Sequence, residues 1–369
     1  MIIWALVFLY LLLCGYTLSR LFVKLAMKLA FFFDIMDHPD PRKVHAKPTP
    51  LLGGLGIVAG LMITVIVNFF LLMLASYLHL ERAFPLLDAI FVHLPGMKSV
   101  GFTIAGIFGC GLLLFFIGLY DDKYGLSARV KFYLQIVIAL IIIYKFDIKI
   151  TLFVPNTFFS YAITTLWIVG ITNSFNLLDN MDGLSAGIAL MSSIVFFVAA
   201  LIAGQVFIAA YLIVFIGVLL GFLWYNFHPA KIFMGDAGSL FIGFNLAVLT
   251  IMGTYFIKGS SYLYPIFMPV LILGVPIYDT FSVMAIRIRN GESIFKPDKN
   301  HFSHRLLRLG MSHAGVALFL YLVTFCVAVN AILLPSLNEW GVLIIVLQSL
   351  CMISVIMLLE YYGKKKNGK

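Results

Sequence analysis

The sequence contains few charged residues, and acidic residues are the scarcest of them. Only 11% of the 369 residues are charged, with 16 Asp and Glu against 25 Lys and Arg. A soluble globular domain has about 25% charged residues, so this composition excludes one. The four cysteines lie in apolar stretches without C-x-x-C spacing, so we expect neither a zinc site nor a disulfide. Basic and aromatic residues do not interleave on a polar surface, so we expect no nucleic-acid partner.

Long apolar runs make up most of the chain. Hydrophobic residues account for 62% of it, and the mean hydropathy is +1.06. Each run is long enough to cross a hydrocarbon core of about 30 Å. We therefore predict an all-α, polytopic integral membrane protein that forms a single domain over residues 1–369. It has about 11 transmembrane helices, or ten if the short run 131–146 does not span. The predicted spans are 2–19, 50–77, 101–120, 131–146, 158–177, 184–204, 206–226, 238–257, 263–286, 314–335 and 340–361.

Lys and Arg are distributed unevenly between alternate loops. If the amino terminus lies outside, one set of loops holds about four fifths of the 25 basic residues. The positive-inside rule places that set in the cytoplasm. The net charge of +9 is then concentrated on one face, where it suits anionic lipid headgroups and an anionic substrate. The first span has no basic n-region or small-residue cleavage site, so we expect a retained helix rather than a signal peptide.

Five carboxylates lie where apolar runs end, and all fall on the predicted cytoplasmic face. A carboxylate at the edge of hydrocarbon costs several kcal/mol unless it is paired, hydrated or bound to a cation. The orientation was assigned from Lys and Arg alone, yet all five carboxylates fall on the same face. One site built from several loops is therefore the simpler interpretation. Neighbouring Asn and Gly residues favour a metal-binding site. The five are Asp121, Asp122, Asp179, Asp182 and Asp236.

Adjacent Asp121 and Asp122 end one apolar run. Two neighbouring carboxylates repel each other, which can make one of them a proton acceptor near neutral pH. The alternative is a solvated helix end in which one of them pairs with Lys123.

Polar side chains recur every three residues in the segment Asn173, Asn176, Asp179 and Asp182. Successive members are neighbours if the segment is helical, and Gly183 allows a turn or a close approach. Carboxamides together with carboxylates suit a nucleoside. The alternative, interhelical hydrogen bonding, accounts for the asparagines but not for the carboxylates.

Two glycines flank Asp236 at the start of another run. Gly235 and Gly238 can leave backbone N–H groups free for phosphate oxygens, with Asp236 placed to hold Mg²⁺ against them. A helix-capping Asp is the alternative, although a cap does not require the glycines.

Two further polar segments lie on the same predicted face. His301, His304, Arg305 and Arg308 form a cationic surface that suits a pyrophosphate; a juxtamembrane basic cluster is the alternative. The proline-rich loop around Lys47 and Thr49 enters a span through Gly-Gly, and a topogenic basic loop is a strong alternative for it. We expect Asp279, inside a span, to be structural and paired with a basic residue.

The order of these motifs resembles the polyprenyl-phosphate N-acetylhexosamine-1-phosphate transferases. The resemblance extends from about residue 40 to about residue 310. The segment Asn-Leu-Leu-Asp-Asn-Met-Asp-Gly-Leu is similar to the branch that uses UDP-GlcNAc, and the triple histidine typical of pentapeptide translocases is absent. One departure is Ser303, which stands where the sugar branch often has a histidine. The matching motifs are Lys-Pro-Thr-Pro-x-x-Gly-Gly, Asp-Asp-x-x-Gly-Leu, Asn-x-x-Asn-x-x-Asp-x-x-Asp-Gly-Leu, Gly-Asp-x-Gly-Ser-Leu and the late His/Arg cluster.

The resemblance implies transfer of a sugar-1-phosphate from a UDP-N-acetylhexosamine to undecaprenyl phosphate, with UMP as the second product. It implies Mg²⁺, with Mn²⁺ able to substitute, a bacterial plasma membrane, a cytoplasm-facing site, and a chain that can form a homodimer. It assigns catalysis to Asp121, Asp122 and Asp236, and the metal to Asp236 and Asp122. It assigns substrate binding to Lys47, Thr49, Asn173, Asn176, Asp179, Asp182, His301, His304 and Arg305.

Three other functions are weighed against this one. A phospho-MurNAc-pentapeptide transferase belongs to the same superfamily. A proton-coupled transporter predicts charges near the membrane mid-plane and paired halves, whereas these carboxylates cluster at one face. A non-catalytic scaffold does not explain Asp121, Asp179 and Asp236 together.

Overall fold

The computed structural model describes residues 2–38, 48–79, 88–253, 264–294 and 301–367. This part of the chain is an assembly of α-helices, as the composition predicts, with two two-residue strands. The helices are α1 Ile2–Phe32, α2 Gly53–Tyr77, α3 Asp88–Phe91, α4 Leu94–Tyr124, α5 Ala128–Phe146, α6 Thr157–Leu178, α7 Leu184–Ile202, α8 Val206–Asn226, α9 Gly235–Met252, α10 Met268–Ile272, α11 Gly274–Arg289, α12 Phe302–Arg308, α13 His313–Ala331 and α14 Glu339–Asn367.

Eight described helices are long and apolar enough to cross a membrane, so the chain is a multi-pass membrane protein. They are α1, α2, α4, α6, α7, α8, α9 and α13, the last with the turn that follows it. Each coincides with a predicted span. The first is longer than predicted, because α1 continues to Phe32 instead of ending near residue 19.

The other three predicted spans take different forms, and a total of 11 remains a prediction. The run 131–146 lies in α5, which carries Arg129, Lys131 and Lys145 and is not among the eight helices above. The run 263–286 is divided at Leu273 between α10 and α11, with a proline near the start of each helix. The last run, 340–361, lies within α14.

Glycines allow three helices to meet closely where the carboxylates lie. A Cβ atom on Gly118 of α4 would come within 2.4 Å of the backbone N of Ala237 in α9. A Cβ on Gly54 of α2 would meet the backbone N of Gly238 at the same distance. Small residues permit such backbone approach between membrane helices. The start of α9 is thereby held between α2 and the end of α4.

Backbone hydrogen bonds outside the helices fix the same region. Strand β1 (Met36–Asp37) pairs antiparallel with β2 (Thr49–Pro50). The carbonyl of Pro50 accepts from the Phe233 N–H at 2.8 Å, and the Phe233 carbonyl accepts from the Gly53 N–H at 2.9 Å. These bonds attach the segment before α9 to the entrance of α2.

Candidate active site

The carboxylate of Asp122 caps the start of α9. Its Oδ1 accepts from the backbone N–H of Asp236 at 2.7 Å, and its Oδ2 from that of Ala237 at 3.1 Å. Gly235 precedes them with φ of 71°, and a Cβ there would lie 2.4 Å from Oδ2 of Asp122. The helix start predicted to bind phosphate is therefore occupied by a side chain from α4. This capping contact uses both oxygens of a residue that was predicted to hold the metal.

A lysine that the motif analysis missed joins two of the predicted catalytic carboxylates. Nζ of Lys131, on α5, lies 2.6 Å from Oδ2 of Asp236 and also binds Oδ2 of Asp121. The other oxygen of Asp121 accepts from the Leu126 N–H. All three charged side chains are at most 26% exposed. The cation offsets the repulsion that two carboxylates at this spacing would otherwise experience.

A pattern in α5 could have revealed Lys131. Lys131 and Gln135 are four residues apart, and so share a face of a helix that is otherwise mostly apolar. The amide of Gln135 pairs with that of Asn173 on α6. Polar side chains on one face of an apolar helix indicate a polar interior site, and this one lies beside the carboxylates.

Asp179, which directly follows α6, is partly buried and lies near two other acids. Burial, followed by the charges of Asp236 and Asp182, raises the pKa of its carboxyl to about 8. The structure therefore brings Asp179 into the electrostatic neighbourhood of Asp236, as the predicted joint site requires.

The two asparagines of α6 have different surroundings. Asn176 donates from Nδ2 to the Ser239 hydroxyl of α9 at 3.0 Å, beside the cluster. Asn173 donates to the Val169 carbonyl at 2.8 Å and pairs with Gln135. The Asn173 side chain therefore makes the interhelical contacts of the alternative interpretation.

Asp182 anchors the loop between α8 and α9. Its Oδ2 lies 2.8 Å from Nδ1 of His228 and accepts from the Ala230 N–H at 3.1 Å. The next residue, Gly183, donates its N–H to the Asn226 side chain at 3.0 Å. Loop 179–183 is therefore fixed against the segment that leads into Asp236.

Helix α12 is joined to α11 and to loop 179–183. Nδ1 of His301 lies 2.9 Å from Oδ2 of Asp279, and both residues are buried. The hydroxyl of Ser303 donates to Oδ1 of Asn180 at 2.6 Å. Asp279 is thus paired with a basic residue, as predicted, and its partner is one of the predicted substrate-binding histidines.

The remaining predicted residues lie around this region. Arg305 is buried and donates from Nη2 to the Ser282 hydroxyl at 2.8 Å. The His304 ring lies beside that of His301, with 6.5 Å between centroids. Thr49 is buried in β2, next to Pro50. Lys47 lies outside the described residues.

The oxygens of Asp236 and Asp121 suit a hard divalent cation. Among the described residues, no group of three or more His, Cys, Asp or Glu could hold a metal ion. Mg²⁺ does not need such a group, because it binds one or two carboxylates and completes its shell with water and substrate phosphates. The pair joined by Lys131 fits that requirement better than Asp122, whose oxygens cap α9.

Sequence comparisons give related proteins over most of the chain. The model of the family described as Glycosyl transferase family 4 matches residues 104–254, from α4 to the end of α9. The chain is 38% identical, over 86% of its length and 82% of the relative's, to a probable undecaprenyl-phosphate N-acetylglucosaminyl 1-phosphate transferase of Bacillus subtilis. It is 35% identical, over 82% and 77%, to a decaprenyl-phosphate N-acetylglucosaminephosphotransferase of Mycobacterium leprae. A third relative, 24% identical over 89% and 85%, is the undecaprenyl-phosphate alpha-N-acetylglucosaminyl 1-phosphate transferase of Escherichia coli K12.

Proposed function

The chain belongs to glycosyl transferase family 4, and we propose that it transfers N-acetylglucosamine-1-phosphate from UDP-N-acetylglucosamine to undecaprenyl phosphate. The products are polyprenyl-diphospho-N-acetylglucosamine and UMP. The observation that carries the proposal is the joint contact of Lys131 with Asp121 and Asp236. It joins α4, α5 and α9 at one end of the bundle, where a lipid headgroup and a soluble nucleotide can meet.

The reaction needs positioning and charge neutralisation more than covalent help from the protein. An oxygen of the lipid phosphate attacks the sugar-bound phosphorus, the bond from that phosphorus to the UMP oxygen breaks, and UMP leaves with the bonding electrons. Two anions must approach each other in this step. Lys131 supplies one positive charge at the meeting point, and bound Mg²⁺ would neutralise the diphosphate oxygens.

Lys131 and Asp121 can exchange partners during the reaction. Without substrate, Lys131 holds Asp121 in an ion pair, which makes that carboxylate a poor base. Diphosphate oxygens near Asp236 would attract the lysine ammonium and release Asp121. The freed carboxylate can then accept the proton of the lipid phosphate monoester, as the resemblance implies.

The other groups hold the donor. Asn176 lies beside α9, and Asp179 begins loop 179–183. Both side chains would contact the nucleotide. His301 directly precedes α12 and Arg305 lies on it, and the Ser303–Asn180 hydrogen bond joins this helix to that loop. We propose that Arg305, His301 and His304 hold the diphosphate and the sugar.

We also propose that the site faces the cytoplasm of a bacterial inner membrane. The distribution of Lys and Arg supports this orientation. Labelling of single cysteines at exposed positions in right-side-out vesicles tests it. Reaction at Lys231→Cys without permeabilisation would contradict the orientation, whereas reaction at Val92→Cys is expected.

The function is tested with purified protein, undecaprenyl phosphate, MgCl₂ and a panel of UDP-sugars, with UMP release as the measurement. UDP-N-acetylglucosamine should be turned over and UDP-MurNAc-pentapeptide should not. EDTA should stop the reaction, and Asp236→Asn should abolish it without lowering the apparent Tm. Comparable turnover of the pentapeptide donor would contradict the assigned donor, and full activity in EDTA would contradict the metal.

A further inference from the structure

The guanidinium of Arg20 lies among three aromatic rings on the surface of the bundle. Its central carbon is 4.5 Å from the ring centre of Trp224, 5.3 Å from that of Tyr16 and 6.0 Å from that of Tyr225. Nη1 also donates to the Tyr16 hydroxyl at 3.0 Å. Ring faces attract a cation and restrict its position. No carboxylate in the described part of the chain forms an ion pair with Arg20.

Arg20 and Trp224 lie at the same depth. Each is 18 residues after the start of its helix, at Ile2 and Val206 respectively, which corresponds to about 27 Å along the helix axis. A hydrocarbon core is about 30 Å thick, so both side chains are near its boundary. Tryptophan and tyrosine are enriched at that level, where headgroups begin. Trp224 is 62% exposed, so its ring faces the lipid as well as Arg20.

Two further cations follow Arg20 along the same face of α1. Lys24 and Lys28 are four and eight residues later, and both are exposed. The exposed side chains of Leu21 and Leu25 lie among them. Helix α1 therefore leaves the hydrocarbon with an apolar surface for acyl chains and a row of cations at headgroup level.

This row differs from three other basic groups at the same end of the bundle. Lys131, Arg287 and Arg305 are at least partly buried and contact protein groups. Lys24 and Lys28 are instead exposed, and the partly buried Arg20 contacts aromatic side chains. Within the described part of the chain, none of these three cations forms an ion pair with a carboxylate.

We propose that Arg20, Lys24 and Lys28, together with Trp224, bind the phosphate diester headgroup of an anionic phospholipid. Charge complementarity supports this occupant, since the surface combines an apolar surface at headgroup depth with three cations that form no ion pair among the described residues. A guanidinium already oriented by aromatic rings loses little freedom when it binds phosphate oxygens. The proposal is independent of the transferase function.

Fluorescence quenching of Trp224 tests this site. The variant Trp4→Phe/Trp167→Phe/Trp340→Phe keeps Trp224 alone, and brominated lipids quench a tryptophan that they contact. In phosphatidylcholine vesicles, brominated phosphatidylglycerol should associate at least about threefold more strongly than brominated phosphatidylcholine. Arg20→Gln/Lys24→Gln/Lys28→Gln should remove that preference. Lys123→Gln/Arg129→Gln/Arg289→Gln, which removes the same charge elsewhere at this end, should retain it.

A second measurement uses the chain with all four tryptophans. Native mass spectrometry should find phosphatidylglycerol retained on it and lost from the Arg20 triple variant. Equal quenching by the two brominated lipids would overturn the proposal, as would equal lipid retention by the triple variant. A shift of Trp224 emission by inorganic phosphate alone would also overturn it. The same holds if a second copy of the chain shields Trp224 from both lipids.

Discussion

The imidazole Nδ1 of His301 lies 2.9 Å from Oδ2 of Asp279, and the other oxygen of that carboxylate accepts from the Phe302 N–H at 2.7 Å. A carboxylate offers only acceptors, so it requires a proton on Nδ1 and leaves Nε2 as the nitrogen available to a substrate. Asp279 therefore sets the orientation of His301 and also holds the start of α12.

Asp279→Asn separates these two roles. The Asn side chain can still accept from the Phe302 N–H, but its amide group faces Nδ1 and reverses which imidazole nitrogen carries the proton. We expect kcat/KM for the UDP-sugar to fall at least about tenfold, with little change in apparent Tm. The loss should disappear when it is measured in a His301→Gln background, because the two residues act as a unit. Wild-type activity of Asp279→Asn, or an undiminished loss in that background, would show that Asp279 does not act through His301.

Lys131 is expected to be essential for both activity and local stability. Lys131→Gln leaves the carboxylates of Asp121 and Asp236 facing each other without a cation, so UMP release should fall about 100-fold or more. The apparent Tm in EDTA should fall by at least about 3 °C. Added Mg²⁺ should raise the apparent Tm of Lys131→Gln by more than it raises that of the wild type. The neighbouring exposed Arg129→Gln is the matched control and should change neither value. Equal Mg²⁺ shifts in the wild type and in Lys131→Gln would show that the lysine and the metal do not share a site.

The raised pKa of Asp179 predicts a pH-dependent stability. In the folded protein its carboxyl keeps the proton up to about pH 8, whereas in the unfolded chain it ionises near pH 4. Between these values the folded state binds more protons, so this group's contribution to stability decreases as pH rises. Asp179→Asn carries no titrating proton, and its apparent Tm relative to wild type should therefore increase from about pH 5 to about pH 8. The measurement is made in EDTA without substrate, with exposed Asp88→Asn as control. A difference that stays flat across this range would contradict the raised pKa.

The fold class and most spans could be predicted because they depend on local composition. Long apolar runs form membrane helices, and eight of those predicted coincide with helices that can span. The extension of α1 to Phe32 was missed because Arg20, Lys24 and Lys28 end the apolar run without ending the helix. The division at Leu273 depends on packing and proline positions, which an average over a window does not capture.

The membership of the site was easier to predict than its internal contacts. Carboxylates at the ends of apolar runs need a polar environment, and a shared site provides one. This requirement placed Asp121, Asp179 and Asp236 in one predicted site. Lys131 was counted only as a topogenic charge, since its partner Asp236 is 105 residues away. The capping contact of Asp122 with α9 likewise joins distant segments. The polar face that Lys131 shares with Gln135 could have marked the residue, but the identity of its partners depends on tertiary packing, which a local sequence pattern does not encode.

Asp121 is expected to act as the proton acceptor once Lys131 has moved to the diphosphate. The acceptor lipid is a phosphate monoester, and such groups have a second pKa of about 6. Near pH 6 much of the lipid still carries a proton that must be removed, whereas near pH 9 it is already ionised. Asp121→Asn should therefore reduce UMP release strongly at the acidic end and recover part of it at the alkaline end.

Asp179→Asn should weaken donor use across the whole range, because its proposed contact is with the nucleotide. Initial rates of both variants at saturating lipid distinguish these outcomes. Equal loss at every pH for Asp121→Asn would make it a residue that only orients Lys131, and the base would have to be another group.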